Sequence, residues 1–163
     1  MAWEALHDLF GIDDGSLPEI RVRFSRSDAV TSAYALLRAR AGNVAPDAPT
    51  FWSNVEEAEL PLDAVENAAA LVAMEEAHPF HVVFGGLRAR GVELPELGVF
   101  VFPDELCLDY RGGAAWQDRL DALFVLLREL VALDDSASVT LGEGASADQA
   151  TRFQQAWLRG AAE

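Results

Sequence analysis

Residues 97–111, LGVFVFPDELCLDYR, contain the clearest secondary-structure signal in the chain. Two runs in which apolar residues alternate with other residues, 97–102 and 105–111, flank the pair Pro103-Asp104, which is typical of a tight turn. We therefore predict a β-hairpin at about residues 97–111. Each strand would carry its large apolar side chains on one face: Phe100 and Phe102 in the first strand, and Leu106, Leu108 and Tyr110 in the second.

Apolar spacing outside the hairpin predicts further strands and helices. Alternation at residues 20–25 predicts a half-buried strand, residues 138–141 a last strand, and residues 55–60 an edge strand. Residues 44–54 contain Pro46 and Pro49, which favours a loop. Helical spacing predicts the remaining elements: helices in residues 1–14, 27–41, 63–77, 116–130 and 146–160, the last of them ended by Gly160.

Three of these helices begin with a capping signal. Ser27 is a good N-cap for the second helix. Asp63 and Glu66 resemble a capping box in which aspartate replaces serine or threonine, and Ser146 with Gln149 predicts a capping box for the last helix.

Residues 80–90 fit two periods. Phe80, Val82 and Phe84 alternate as in a strand, but apolar residues in this segment also recur at helical spacing. Pro79 suits the first position of a helix, so we expect a helix here.

Helices and strands interleave along the chain, and the hairpin argues against a purely parallel sheet. The expected fold is a single α+β domain spanning residues 1–163. It would have two layers, a mixed sheet of about four to five strands, and roughly five to six helices. An apolar fraction of 51% in 163 residues is enough to build a core.

The charged residues exclude several functions. The chain has 27 acidic residues and 12 arginines but no lysine, and its formal net charge is −15. Without lysine there can be no Schiff-base nucleophile, P-loop or kinase site. The acidic excess argues against a nucleic-acid partner, because cations are needed to bind the phosphate backbone.

Three features favour a cytoplasmic protein without a membrane association. Cys107 is the single cysteine, so no disulfide can form within the chain. The N-terminus lacks the basic segment and apolar run of a signal peptide. No apolar stretch approaches the roughly 18–20 residues of a membrane span.

Residues 41–87 contain eight acidic residues and no arginine. One interpretation is an ordinary solvated surface. Ordinary surfaces mix both signs of charge, however, and a field of one sign can steer a basic protein towards it. The candidate binding residues of this tract are Glu56, Glu57, Glu59 and Glu66.

The pair Phe51-Trp52 lies in the proline-flanked segment before this acidic stretch. An exposed aromatic pair would be an interface anchor, since aromatic residues dominate many interfaces. The alternative is a lid of aromatic side chains folded over the core.

Residues 109–113 join a predicted strand to a predicted helix. Asp109, Tyr110 and Arg111 are candidate binding residues, because polar and aromatic groups at such junctions can form sites. In the alternative interpretation Tyr110 belongs to the core and Arg111 forms an ion pair with Asp109.

Metal ligation and thiol chemistry are not favoured. His78 and His81 lie near two glutamates, but Pro79 separates them and the sequence marks no further ligands. Acidic neighbours raise the pKa of the Cys107 thiol, which favours a structural role. Because GxSxG, HExxH, CxxC and GxGxxG motifs are absent, we predict no cofactor and no metal.

These observations favour a non-catalytic acidic protein that docks residues 55–76 onto a basic protein partner. An inhibitor or immunity protein acting on a nuclease-type toxin is one concrete form. One alternative is a small enzyme with a site near Asp109, Tyr110 and Arg111, together with His78 or His81. Another is an accessory subunit of a larger complex with an exposed apolar patch around Phe51 and Trp52. The oligomeric state is left open.

Overall fold

The computed structural model describes residues 2–161. Their α-helices are α1 (Ala2–Phe10), α2 (Ser27–Arg40), α3 (Ala68–Ala73), α4 (Leu120–Val131) and α5 (Ala147–Ala161). Short 3₁₀ helices span Leu62–Ala64 and Ala114–Trp116. The strands are β1 (Glu19–Arg23), β2 (Asn43–Ala45), β3 (Thr50–Ser53), β4 (Ala58–Pro61), β5 (Phe80–Gly85), β6 (Arg88–Ala89), β7 (Val92–Glu93), β8 (Leu97–Val101), β9 (Glu105–Tyr110) and β10 (Ser138–Leu141).

The largest sheet has the strand order β10-β1-β9-β8-β5-β2. Every neighbouring pair in this sheet is antiparallel. The predicted α+β class is therefore confirmed, but the sheet is antiparallel rather than mixed, and it has six strands rather than four to five. The difference arises because β5 was predicted as a helix and β2 as part of a loop.

The predicted hairpin is confirmed as β8 and β9, which pair near the centre of the sheet. The apolar face predicted for β9 is buried. The rings of Phe100 and Phe102 stack with their centroids 4.9 Å apart, as expected for side chains on one face.

Helices cover one face of the sheet. Tyr34 of α2 contacts Phe80 of β5 edge to face at 5.5 Å, and Phe10 of α1 stacks on Tyr110 of β9 at 4.5 Å. Trp116 contacts the Tyr110 ring at 5.6 Å and is fully buried. Fully burying one large apolar side chain stabilises a fold by roughly 1.5–3 kcal/mol, so these contacts fix the helices against the sheet.

The other face of the sheet carries the alternate residues of the same strands, because successive side chains of a strand point to opposite sides. On this face Arg21 lies between Cys107 of β9 and Thr140 of β10, and His81 of β5 lies beside Phe100 of β8. Most side chains here are polar or partly exposed. This open face holds Arg21, His81 and Asp109.

Residues 80–90 do not form a helix, so that prediction is wrong. Phe80, Val82 and Phe84 are buried and pair with Val101, Val99 and Leu97 of β8. Gly86 then turns the chain with φ of +69°, a left-handed conformation that glycine adopts readily. Pairing with β8 favours the strand alternative over the helical spacing.

Two predicted caps are not used. The helix predicted over residues 63–77 is divided into a 3₁₀ turn and α3, and Asn67 rather than Asp63 caps α3 by accepting from the Ala69 N–H at 2.9 Å. Ser27 lies inside α2, whose N-cap Arg26 makes no side-chain capping bond. Asp134 instead accepts from the Arg26 N–H at 3.3 Å.

Residues 44–54 are not a loop throughout, because they contain most of β2 and all of β3. The prolines are accommodated because β2 and β3 are short and the chain turns between them. The predicted edge strand at residues 55–60 is shifted to β4, which pairs with β3.

The capping box of the last helix is confirmed. The Ser146 N–H donates to Gln149 Oε1 at 2.9 Å, and the Gln149 N–H donates to Ser146 Oγ at 3.1 Å. The helix does not end at Gly160, since α5 extends to Ala161. Because Gly160 has no side chain, the Arg128 guanidinium can lie against its backbone and donate to the Trp157 carbonyl at 2.9 Å.

Candidate functional site

An acidic lobe extends from one side of the molecule; we define it as residues 52–59 and 74–78. It consists of the β3–β4 hairpin and the chain between α3 and β5. The Asn54 N–H donates to the Glu76 carbonyl at 2.8 Å, and the His78 N–H donates to the Trp52 carbonyl at 3.0 Å. A bridge between Ser53 and Ala77 completes the connection, so the two segments form one surface.

Five glutamates meet on this lobe, and all are exposed. They are Glu56, Glu57, Glu59, Glu75 and Glu76. Within residues 2–161, none of the five forms an ion pair. Like charges this close repel one another over a Debye length of roughly 8 Å at physiological salt, so the lobe carries a concentrated negative field.

Three large apolar side chains are exposed on the same lobe. Trp52 is 40% exposed, Val55 67% and Met74 58%. The Trp52 indole lies 6.1 Å from the His78 ring, and Trp52 pairs in register with Glu59 on the neighbouring strand. An exposed tryptophan among apolar and charged groups has the composition of an interface anchor.

The backbone of the lobe is held in two unusual conformations. Glu57 and Glu75 have φ of +50° and +59°, in the left-handed region that costs a non-glycine residue about 1–2 kcal/mol. One turn lies in the loop between β3 and β4, and the other follows α3, so each of the two segments that carry the carboxylates contains one of them. Strained residues of this kind occur frequently at binding surfaces.

Two further binding residues predicted for this region, Phe51 and Glu66, are not part of the acidic lobe. Phe51 is only 3% exposed and belongs to the core, whereas its neighbour Trp52 faces outward. The aromatic pair is therefore divided between the two predicted roles. Glu66 is exposed, but it lies in the segment before α3 and not on the lobe. The next residue, Asn67, donates from its side chain to the Thr31 carbonyl of α2 at 3.1 Å, which ties this segment to α2.

Asp109, Tyr110 and Arg111 do not converge on one site. Tyr110 is buried, its hydroxyl donates to the Leu9 carbonyl at 3.3 Å, and burial raises its pKa above the ordinary value. Arg111 forms an ion pair with Asp13 at 2.9 Å, not with Asp109 as the alternative interpretation predicted.

Asp109 instead accepts from His81 across β8, with 2.6 Å between Asp109 Oδ2 and His81 Nε2. The carboxylate lies above Gly98, where a side chain would occupy its place. Sequence reasoning missed this pair because β5 was not recognised as a strand. The alternation of Phe80, Val82 and Phe84 was the signal that places His81 on the open face.

The chemistry of the remaining groups is limited. Burial, followed by the nearby Glu105 carboxylate, raises the pKa of the Cys107 thiol to about 12, so the sulfur is protonated at neutral pH. His78 lies on the acidic lobe and does not join His81. Residues 2–161 contain no group of three or more His, Cys, Asp or Glu side chains placed to hold a metal ion.

Over the same described range, none of the helices is both long and apolar enough to cross a lipid bilayer. Comparisons of the chain with protein-family models, with curated proteins and with solved structures returned no match.

Proposed function

We propose that the chain is a non-catalytic binding protein whose acidic lobe docks onto a basic patch of another protein. The observation that carries the proposal is that one lobe holds three exposed apolar side chains and five exposed carboxylates without an ion pair to any of residues 2–161. The carboxylates attract a basic surface over a distance, and the apolar groups supply contact area once the two proteins meet.

The pairing of Trp52 with Glu59 favours arginine as the central contact of the partner. Directly opposed residues on antiparallel strands have Cβ atoms about 4.5–5.5 Å apart. A guanidinium stacked on the indole face would therefore reach the Glu59 carboxylate with its hydrogen-bonding fork. A lysine ammonium would make the charge contact without the stacking.

Inhibition is the simplest consequence of such docking. An enzyme that acts on phosphates presents a basic surface, and an acidic lobe bound there blocks access to it by charge and by bulk. An immunity-type protein that neutralises a nuclease works in this way. A cytoplasmic location, a single partner and the absence of a cofactor belong to the same proposal.

Affinity capture with matched variants tests this function. The wild-type protein should retain a basic protein from the native lysate and release it between about 0.1 and 1 M salt, where the Debye length falls from roughly 10 to 3 Å. The triple variant Glu56→Gln, Glu57→Gln, Glu59→Gln should not retain it. The control Glu96→Gln, Asp118→Asn, Asp135→Asn removes three exposed carboxylates elsewhere and should bind as the wild type does.

Equal retention by both triple variants would exclude the lobe as the docking surface. Retention of one stoichiometric partner that resists 1 M salt, about the concentration at which exposed charges are fully screened, would favour the alternative of an accessory subunit held by apolar contacts.

A second candidate function, a small enzyme, is favoured by the His81–Asp109 contact of 2.6 Å on the open sheet face. A carboxylate that orients a histidine prepares its other ring nitrogen for proton transfer. Ligand screening by histidine NMR tests this candidate. Shifts of the His81 ring that disappear in Asp109→Asn would support it, and an unresponsive ring would remove it.

A further inference from the structure

A cleft of about 800 Å³ lies at the edge of the sheet opposite β2, away from the acidic lobe. It is formed by the chain between α1 and β1, by β1 itself, and by the chain between β10 and α5. Its size falls within the roughly 300–1,000 Å³ of small-ligand sites.

Arg21 is the cation of this cleft. Its side chain is partly buried, and its Nε–H is enclosed by protein and makes no hydrogen bond to any of residues 2–161. Among the described residues no acidic side chain forms an ion pair with it, and its cross-strand neighbours are Cys107 and Thr140. A ligand carboxylate would satisfy this guanidinium, with which it forms paired hydrogen bonds.

Three carboxylates line the same cleft without an ion pair to any residue of the described range: Asp14, Glu19 and Glu143. The fourth acidic residue of the lining, Asp8, is bound to Arg152 through both oxygens. Asp14 accepts from the Ser16 hydroxyl and N–H, which lowers its pKa and keeps it charged. Carboxylates therefore outnumber the guanidinium, and a complementary ligand must carry positive charge in addition to an acidic group.

Two of the apolar side chains that line the cleft are exposed. Ile12 and Leu17 are 59% and 58% exposed, although apolar residues of this size are usually buried. They provide a surface for a hydrocarbon stem between the charged ends of a ligand.

We propose that this cleft binds a basic amino acid. Its carboxylate would pair with Arg21, its ammonium groups with Glu19 and Glu143, and its methylene stem would lie on Ile12 and Leu17. An inorganic anion would face three carboxylates, and a simple diamine would leave Arg21 without an acceptor. The ligand is either free lysine or a lysine at the C-terminus of a peptide, since both present the carboxylate, the methylene stem and the side-chain ammonium. Only free lysine also carries the α-ammonium, because a peptide bond converts that nitrogen to an amide.

Calorimetric titration of the protein tests the assignment with four compounds. L-lysine should bind. 1,5-Diaminopentane lacks the carboxylate and norleucine lacks the side-chain ammonium, so each should bind at least about tenfold more weakly, the factor for one lost charge contact of roughly 1.4 kcal/mol. Nα-acetyl-lysine separates the two sources: binding equal to that of lysine indicates a chain terminus, and weaker binding indicates the free amino acid.

Matched variants locate the site. Arg21→Gln should lose lysine binding, whereas Arg23→Gln, on the same strand and face but outside the cleft lining, should retain it. Glu143→Gln is a second variant for the case that Arg21→Gln does not fold. Glu143 lies in an exposed surface segment, and its replacement should also weaken lysine binding. Diaminopentane binding as tightly as lysine, or no detectable binding at lysine concentrations up to about 10 mM, which excludes a dissociation constant in the low millimolar range, would overturn the proposal.

Discussion

The contact between α1 and α5 and the acidic lobe use the same kind of residue in opposite ways. At the first, Arg152 binds both oxygens of Asp8 at 2.7 and 2.8 Å, contacts Asp148 at 2.8 Å, and donates to the Ala5 carbonyl at 2.6 Å. On the lobe, five glutamates have no cationic partner within the described chain. Carboxylates that are paired hold elements together, whereas carboxylates left unpaired raise the free energy of the folded state and remain available to a partner.

The largest loss of stability should follow a substitution at Gly112, which lies against the backbone just after α1. A methyl group at this position would collide with the backbone carbonyl of Ile12. Backbone cannot yield as a side chain does, so Gly112→Ala should lower the free energy of unfolding by about 2–3 kcal/mol. Urea unfolding measures the change. Gly144→Ala is the control, because nothing lies within 4 Å of its added carbon, and equal midpoints for both variants would contradict the expected packing.

A smaller loss should follow Asp8→Asn. The hydrogen bonds from Arg152 lower the pKa of Asp8 from 3.8 to about 2. A carboxyl whose folded pKa is lowered stabilises the protein above its unfolded pKa, and the contribution disappears as the pH falls towards the folded value. When solvent screening is allowed for, the free energy of unfolding at pH 7 should be about 1 kcal/mol higher for the wild type than for the variant.

Unfolding measured from pH 7 to pH 3 checks the sign of this effect. The difference between Asp8→Asn and the wild type should narrow below about pH 4, where the unfolded carboxyl takes up its proton. A difference that is constant over the whole range would assign the loss to packing rather than to charge.

The smallest effect, of opposite sign, is expected on the lobe. The variant Glu56→Gln, Glu57→Gln, Glu59→Gln should unfold at the same temperature as the wild type or at a higher one. Its free energy of unfolding should rise by up to a few tenths of a kcal/mol, because like-charge repulsion is removed. Thermal unfolding at low and high salt measures this, and the gain should shrink as salt screens the charges. A clear loss of stability would show that these carboxylates support the fold, as Asp8 does.

The secondary structure was predictable wherever the apolar residues fit only one period, either the spacing of a helix or the alternation of a strand. The hairpin of β8 and β9, the apolar stripe of α2 and the capping box of α5 all follow from local patterns. The strand β5 did not, because its aromatic residues satisfy both spacings and only pairing with β8 distinguishes them. Without β5 as a strand, the contact between His81 and Asp109 was also unpredictable.

The candidate site was predictable in charge but not in place. An arginine-free acidic tract is visible along the chain, yet it contains both lobe residues such as Glu56 and a residue apart from the lobe, Glu66. The segments that carry Glu56 and Glu76 are joined by hydrogen bonds between residues distant in sequence, such as that from the Asn54 N–H to the Glu76 carbonyl. Likewise, alternation predicts that Arg21 faces away from the helices, but one of the two segments that enclose it in a cleft, the chain between β10 and α5, lies far from it in sequence.

The sequence by itself determined the α+β class, the central hairpin and the sign of the surface charge, since these depend on local periodicity and on composition. The tertiary structure alone decided the number of strands, the division of the aromatic pair between Phe51 and Trp52, and which carboxylates have partners. Those outcomes depend on contacts between residues that are distant along the chain, and they are settled by burial and hydrogen bonding over the whole fold.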